Sequence, residues 1–164
     1  MVVKEKTHRL PKEFYRGEIS AAFTLCLKRD VAAGFSLREP EIVNIFTNIL
    51  TAAVTKECCI VPVYCFMHDH QHLIIRGTGT DANVWKAVVS YKQKTGFWMS
   101  ANKPGMKWQK DFYDHVIRTN EDIVTQVRYI LDNPVRKGLV SVWKEYPFRG
   151  SIGCDLEDFL NEII

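Results

Sequence analysis

The chain has 164 residues, of which 46% are hydrophobic and 25% charged, and it carries a formal charge of +3. That balance is ordinary for a globular protein, and the length suits one domain with a single core. No apolar run is long enough to span a bilayer, and the opening "MVVKEKTHRLPKEFYRG" lacks the apolar centre of a signal peptide, so the expectation is a soluble, cytoplasmic protein. The five cysteines (Cys26, Cys58, Cys59, Cys65, Cys154) form no CxxC pair, which argues against a zinc or redox motif. They read as reduced thiols, mostly small buried hydrophobes.

Taken in order, Lys4, Lys6, Arg9, Lys12 and Arg16 first gather at the start of the chain. "ISAAFTLCLK" (Ile19 to Lys28) has the apolar, β-prone character of a central strand. "SLREPEIVNIFTNILTAAVTKE" follows, with Ile42, Ile45, Phe46 and Ile49 at helical spacing and Ser36 or Glu39-Pro40 as its opening. "CIVPVYCFM" and "HLIIRG" read as two strands, the second ended by "GTGTDAN". "DANVWKAVVSYKQKTGFWMSAN" is a second helix, with Val84, Ala87, Val88 and Tyr91 on its inner side. A strand around Phe112 to Ile117 comes next. The helix of "TNEDIVTQVRYILDNPVRKG" is the clearest: Thr119 or Asn120 caps it, Glu121 and Asp122 suit its positive end, and Ile123, Val127 and Ile130 form its stripe. Asn133-Pro134 is expected to end it, because proline pushes the residue before it out of helical geometry. "GLVSVWKEYPFRGS" is expected to be a tail that packs back on the body.

The order β-α-β-β-α-β with a third helix predicts an α+β fold: a ferredoxin-like, RRM-like antiparallel sheet with helices on one face and an extra C-terminal helix. A single domain over residues 1–164 is expected, with residues 150–164 as a C-terminal tail. Such sheets serve many activities, so function has to come from a site.

The polar stretch "FMHDHQHLII" puts three of the chain's five histidines within five residues. Residues two apart on a strand face the same way, so His70 and His72 can project as a pair of ligands for a divalent ion. An ordinary hydrogen-bonded pair is the alternative. On the third helix Tyr129 lies one turn before Asn133 and just under one turn after Gln126, so the three can share a face. A tyrosine with an amide oxygen one turn away suits a nucleophile beside a further metal ligand; a half-buried packing tyrosine is the alternative. Lysines through the middle of the chain interleave with Tyr91, Phe97, Trp98 and Trp108, a composition suited to holding single-stranded nucleic acid.

These residues carry a resemblance. "FMHDHQHLII" resembles the HUH region of the single-tyrosine transposases, usually written M-P-N-H-x-H-L. "WQKDFYDHVIRTNED" and "VRYILDNPVRKGLV" resemble downstream blocks of the REP-associated tyrosine transposase branch, and "RLPKEFYRG" leading into "FTLCLKRD" fits it too. The match runs in order from about Arg9 to Arg149. The resemblance implies metal ligation by His70, His72 and Asn133, a Mg²⁺ or Mn²⁺ cofactor, and Tyr129 as the nucleophile. It implies nicking and strand transfer of single-stranded or hairpin DNA through a 5′-phosphotyrosine, by a monomer or homodimer. Lys92, Lys94, Arg128, Arg136 and Lys137 are candidate phosphate contacts. Two positions depart from the pattern: His68 replaces the usual proline, and Gln71 replaces a bulky apolar residue. Gln71 should point away from the metal, where an unsatisfied buried amide costs about 1–3 kcal/mol. Tyr91 and Tyr113 read as packing or stacking residues, and His115 as a DNA contact or structural group. Non-catalytic binding of nucleic-acid hairpins on an RRM-like sheet is the competing function. A metallohydrolase is a weaker alternative, since only His8 and His115 remain as distant ligands.

Overall fold

A computed structural model of the chain describes residues 9–29 and 34–164; Lys4, Lys6 and His8 lie outside them. After a 3-10 turn at Lys12–Tyr15 come β1 (Ser20–Cys26), α1 (Pro40–Lys56), β2 (Cys59–Phe66), β3 (His70–Gly77), α2 (Val84–Asn102), β4 (Tyr113–Ile117) and α3 (Asn120–Arg136). A second 3-10 turn at Trp143–Glu145 leads into β5 (Arg149–Ile152) and α4 (Leu156–Ile163). The five strands form one sheet in the order β4-β1-β3-β2-β5, and every neighbouring pair is antiparallel. The first four give the ferredoxin-like arrangement expected from the element order, and β5 extends it beyond β2.

Alternation along each strand sorts side chains between two faces. Ala21, Phe23 and Leu25 of β1 and Leu73 and Ile75 of β3 join Ile42, Phe46, Leu50, Val84, Val88 and Tyr91 of α1 and α2 in one buried cluster. Ala22 of β1 and Ile74 of β3 join Ile123, Val127, Ile130 and Leu131 of α3, with Leu156, Phe159 and Ile163 of α4, in another. Two helices cover one face as expected, and α3 with α4 covers the other. β3 lies in the middle of the sheet, so both of its faces are roofed.

Two expectations change. Asn133-Pro134 does not end α3, which continues to Arg136 with Pro134 buried inside it. Proline removes only one amide donor in this last turn. Lys137 N–H still reaches the Asn133 carbonyl at 3.0 Å, and Leu139 N–H reaches that of Pro134 at 2.9 Å. Gly138, at φ +70°, supplies the left-handed residue that stops the helix.

Residues 138–151 pack back on the body as expected, with Tyr146 buried in the second cluster, but the last residues, expected to be a tail, are built structure. β5 pairs with β2, and α4 is capped by Asp155, whose carboxylate accepts from Asp158 N–H at 3.0 Å. Among the cysteines, Cys26, Cys59 and Cys65 are buried, with thiols pushed up by burial to about 11, 11 and 12. Cys58 is exposed and Cys154 half-buried, so the core reading holds for three of the five.

Candidate active site

His70 and His72 both project from β3 toward α3. Asn133, buried on the last turn of α3, meets them: its Nδ2 lies 2.7 Å from His72 Nε2 and 3.5 Å from His70 Nε2. The outer nitrogens are occupied. His70 Nδ1 donates to Asp69 Oδ1 at 2.7 Å, and His72 Nδ1 lies 2.8 Å from Thr24 Oγ1, directly across from it on β1. An ionised carboxylate can only accept, so the His70 proton sits on Nδ1 and Nε2 keeps its lone pair. The Asn133 amide donates toward Nε2 of His72, which puts that ring in the same tautomer.

Electrostatics reinforce this protonation. Burial lowers the pKa of His70, against the opposing pull of Asp69. Burial, then the neighbouring His70 and the Arg136 charge, push His72 down to about 3. Burial alone would raise the Asp69 carboxyl, but its hydrogen bond and charge interaction with His70 outweigh that and lower it. At neutral pH two uncharged imidazoles therefore aim lone pairs at one buried carboxamide. Turning that amide about its axis presents Oδ1 to the same point, giving two nitrogens and one oxygen as donors. This donor set would suit a borderline or hard divalent ion, and the Asp69–His70 and Thr24–His72 bonds fix the two rings as outer partners would for ligating imidazoles. Among the described residues no group of three His, Cys, Asp or Glu side chains has metal-binding geometry.

Tyr129 stands one turn before Asn133, as its spacing requires. Its ring meets the His72 ring edge-on, with centroids 5.5 Å apart, and it is 47% exposed at the wall of a cleft of about 580 Å³. Arg136 lies over the Tyr129 ring, Cζ 4.5 Å from its centre, and donates to the Tyr129 carbonyl at 2.9 Å. The cleft is lined by Arg38, His68, Asp69, His70, Asn133, Arg136 and Lys137 among others; Gln126 is half-buried and not part of the lining.

The five candidate phosphate contacts divide between faces. Arg136 and Lys137 line the cleft, and Arg128 is exposed beside Tyr129 on α3. Lys92 and Lys94 ride on α2, across the sheet. Lys92 Nζ donates to the Lys110 carbonyl at 2.6 Å and lies 5.7 Å from the Phe112 ring centre. Tyr91 is fully buried, whereas Tyr113 is at the surface of β4, 36% exposed. His115 binds Asp122 of α3 at 2.8 Å, a structural tie.

Gln71 points away from the histidine pair, into the α1–α2 core, with no exposure. Its Oε1 accepts from the Tyr91 hydroxyl at 2.5 Å, while its buried Nε2 has no partner among the described residues. The amide is half satisfied. Sequence reasoning missed Asp69, Thr24 and Arg38. Asp69 had a visible signal, its adjacency to His70; Thr24 and Arg38 enter only through strand register and loop packing.

No family model matches the chain. A Haemophilus influenzae protein (strain Rd) that carries the name REP-associated tyrosine transposase is 32% identical over 120 residues, which are 63% of this chain and 67% of that protein. A solved structure of the REP-associated tyrosine transposase bound to a REP hairpin superposes with a TM-score of 0.70 over 89% of this chain and 82% of that one. At 20% identity that second likeness is one of fold. The first is one of family, and by it this chain belongs to the REP-associated tyrosine transposases.

Proposed function

We propose that the chain nicks and rejoins single-stranded DNA at a hairpin through a covalent link to Tyr129, with Mg²⁺ or Mn²⁺ held by His70, His72 and Asn133. The observation that carries this reading is the convergence of both Nε2 lone pairs on the Asn133 amide, with the Tyr129 ring against His72 at the cleft wall. A cation held there supplies charge withdrawal from the scissile phosphate and fixes its orientation.

The chain's own groups do the rest. Arg136 lies over the Tyr129 ring and bonds its carbonyl, which restrains the phenol where a strand in the cleft would meet it. In the step, Tyr129 Oη loses its proton and bonds phosphorus. The P–O3′ bond breaks, and its electron pair leaves on the 3′ oxygen, which takes up a proton. The products are a 5′-phosphotyrosine and a free 3′-hydroxyl. Because the phosphodiester energy is kept, a 3′-hydroxyl can reverse the step and join strands with no nucleotide cofactor.

DNA as the partner is supported by the named relative and by the three basic side chains in the cleft lining, Arg38, Arg136 and Lys137. The hairpin is supported by the solved relative, which holds one. Tyr129, His70, His72 and Asn133 all come from one chain, which supports a site complete in a monomer.

The test is a labelled DNA hairpin with single-stranded flanks, incubated with Mn²⁺ and run on a denaturing gel. A slow-migrating protein–DNA adduct is expected from the unaltered chain and none from Tyr129→Phe. An adduct that survives Tyr129→Phe shows that the nucleophile is another residue. Hairpin binding indifferent to chelator, with no cleavage under any metal, leaves a binding protein that does not cut.

A further inference from the structure

One wall of the cleft has no part in the tyrosine chemistry. Ser36, Leu37 and Arg38 precede α1 and are stapled to the turn between β2 and β3. Leu37 N–H donates to the His68 carbonyl at 2.9 Å. Arg38 N–H donates to Ser36 Oγ at 3.0 Å, and that oxygen lies 3.1 Å from His68 Nδ1. His68, on the turn that carries the ligand pair, thus fixes a second loop against the cleft.

The staple presents Arg38. Its guanidinium carbon lies 5.8 and 5.9 Å from the ring centres of Tyr146 and Phe148, and among the described residues no carboxylate pairs with it. Among the described residues its buried Nε has no hydrogen-bond partner and no ion pair offsets that cost. An arginine held by two aromatic rings and the neutral Tyr146 hydroxyl keeps its charge for a ligand, and its planar fork suits phosphate oxygens. Arg136 and Lys137 add two more cations to the lining, while the one carboxylate there, Asp69, is engaged by His70. The cleft therefore holds more positive charge than one scissile phosphate neutralises.

We propose that Arg38 forms a second phosphate subsite, which takes a non-scissile backbone phosphate of the bound strand, and that His68 is the positioning residue that holds its loop. The proposal rests on the reading that DNA occupies this cleft. His68 and Arg38 are then parts of one device, one anchoring the loop and the other reaching the strand.

The experiment uses the full chain carrying Tyr129→Phe, so that cleavage does not intervene. The probe is a fluorescent DNA hairpin with single-stranded flanks, prepared as a series in which one phosphate at a time is a neutral methylphosphonate, and binding is read by anisotropy. One linkage other than the scissile one should weaken binding by about ten-fold when neutralised, the size of a charge-assisted contact. Adding Arg38→Gln should cost the same ten-fold on unmodified DNA and abolish the sensitivity at that linkage alone. His68→Ala should blunt the same linkage, and His68→Asn, which can still bond Ser36, should restore it. Arg38→Lys, which keeps charge without the fork, serves if Arg38→Gln melts at a lower temperature, and should give a partial loss at that linkage.

An unchanged linkage profile in the Arg38 variants, or an equal loss at every linkage, overturns the proposal, as does a profile with no sensitive non-scissile linkage. The underlying reading fails separately. If the unaltered chain never forms the Tyr129 adduct while one linkage still depends on Arg38, the nicking falls and the subsite stands. Normal adduct formation with an Arg38-independent profile gives the reverse.

Discussion

At the scale of the residue, β3 carries three consecutive polar side chains that need three different solutions. His70 and His72 are satisfied on one face by Asp69, Thr24 and Asn133, whereas Gln71 is left with Tyr91 on the other. Tyr91→Phe removes the one partner that the buried Gln71 amide has among the described residues, and should destabilise by about 1–3 kcal/mol. Gln71→Leu with Tyr91→Phe removes both polar groups and should recover most of that loss, a non-additivity visible in urea midpoints. If the two changes simply add, the hydrogen bond is not what holds Gln71. His72 makes a prediction in pH. Its folded pKa, about 3, lies below its ordinary 6.5, so the unfolded chain binds the extra proton between those values. The contribution is complete above pH 6.5 and is lost as pH falls toward 3, with His70 shifted in the same direction. In chelator, the urea midpoint should fall on acidification from pH 7 to 4, and His72→Gln should flatten that slope. An unaltered slope in the variant refutes the assignment.

At the scale of the element, α3 is the part on which the site turns. Its stripe of Ile123, Val127 and Ile130 packs on the sheet and brings Tyr129 and Asn133 to the strand that bears the histidines. It is held from behind by α4, whose Leu156, Phe159 and Ile163 complete the same cluster. Phe159→Ala should therefore cost about 3–5 kcal/mol, the range for truncating a buried phenylalanine, measurable as a lowered urea midpoint. A loss below about 1 kcal/mol would mean that the last residues are the appended tail expected from sequence. The i, i+3, i+7 spacing of Leu156, Phe159 and Ile163 after Asp155 was readable as a capped helix. Pro134 was misleading for a different reason: a proline rule describes a local preference, and burial of its ring in the last turn overrides it.

At the scale of the whole molecule, the sheet separates two basic regions. Arg136 and Lys137 border the cleft, while Lys92 and Lys94 lie on the helix across the sheet, with Lys92 partly engaged by a carbonyl. Replacing Arg136 or Lys137 by alanine should weaken hairpin binding and lower the slope of log affinity against log salt by about one each. Lys94→Ala should leave that slope unchanged. An equal effect at Lys94 would mean that the strand wraps around the edge of the sheet.

Periodicity, capping residues and the order of elements were enough to predict the ferredoxin-like sheet, and the spacing of His70 with His72 and of Tyr129 with Asn133 placed each pair on a shared face. Those are short-range properties, set by the repeat of a strand and the pitch of a helix. That the two pairs meet depends on α3 crossing the sheet on the side opposite α1 and α2, a choice made by two hydrophobic clusters assembled from distant segments. The same long-range packing placed Thr24 behind His72, tied His68 to the loop of Arg38, and left the Gln71 amide half satisfied. None of these contacts has a signature within a few residues of chain, because each depends on how far apart the strands and loops come to rest.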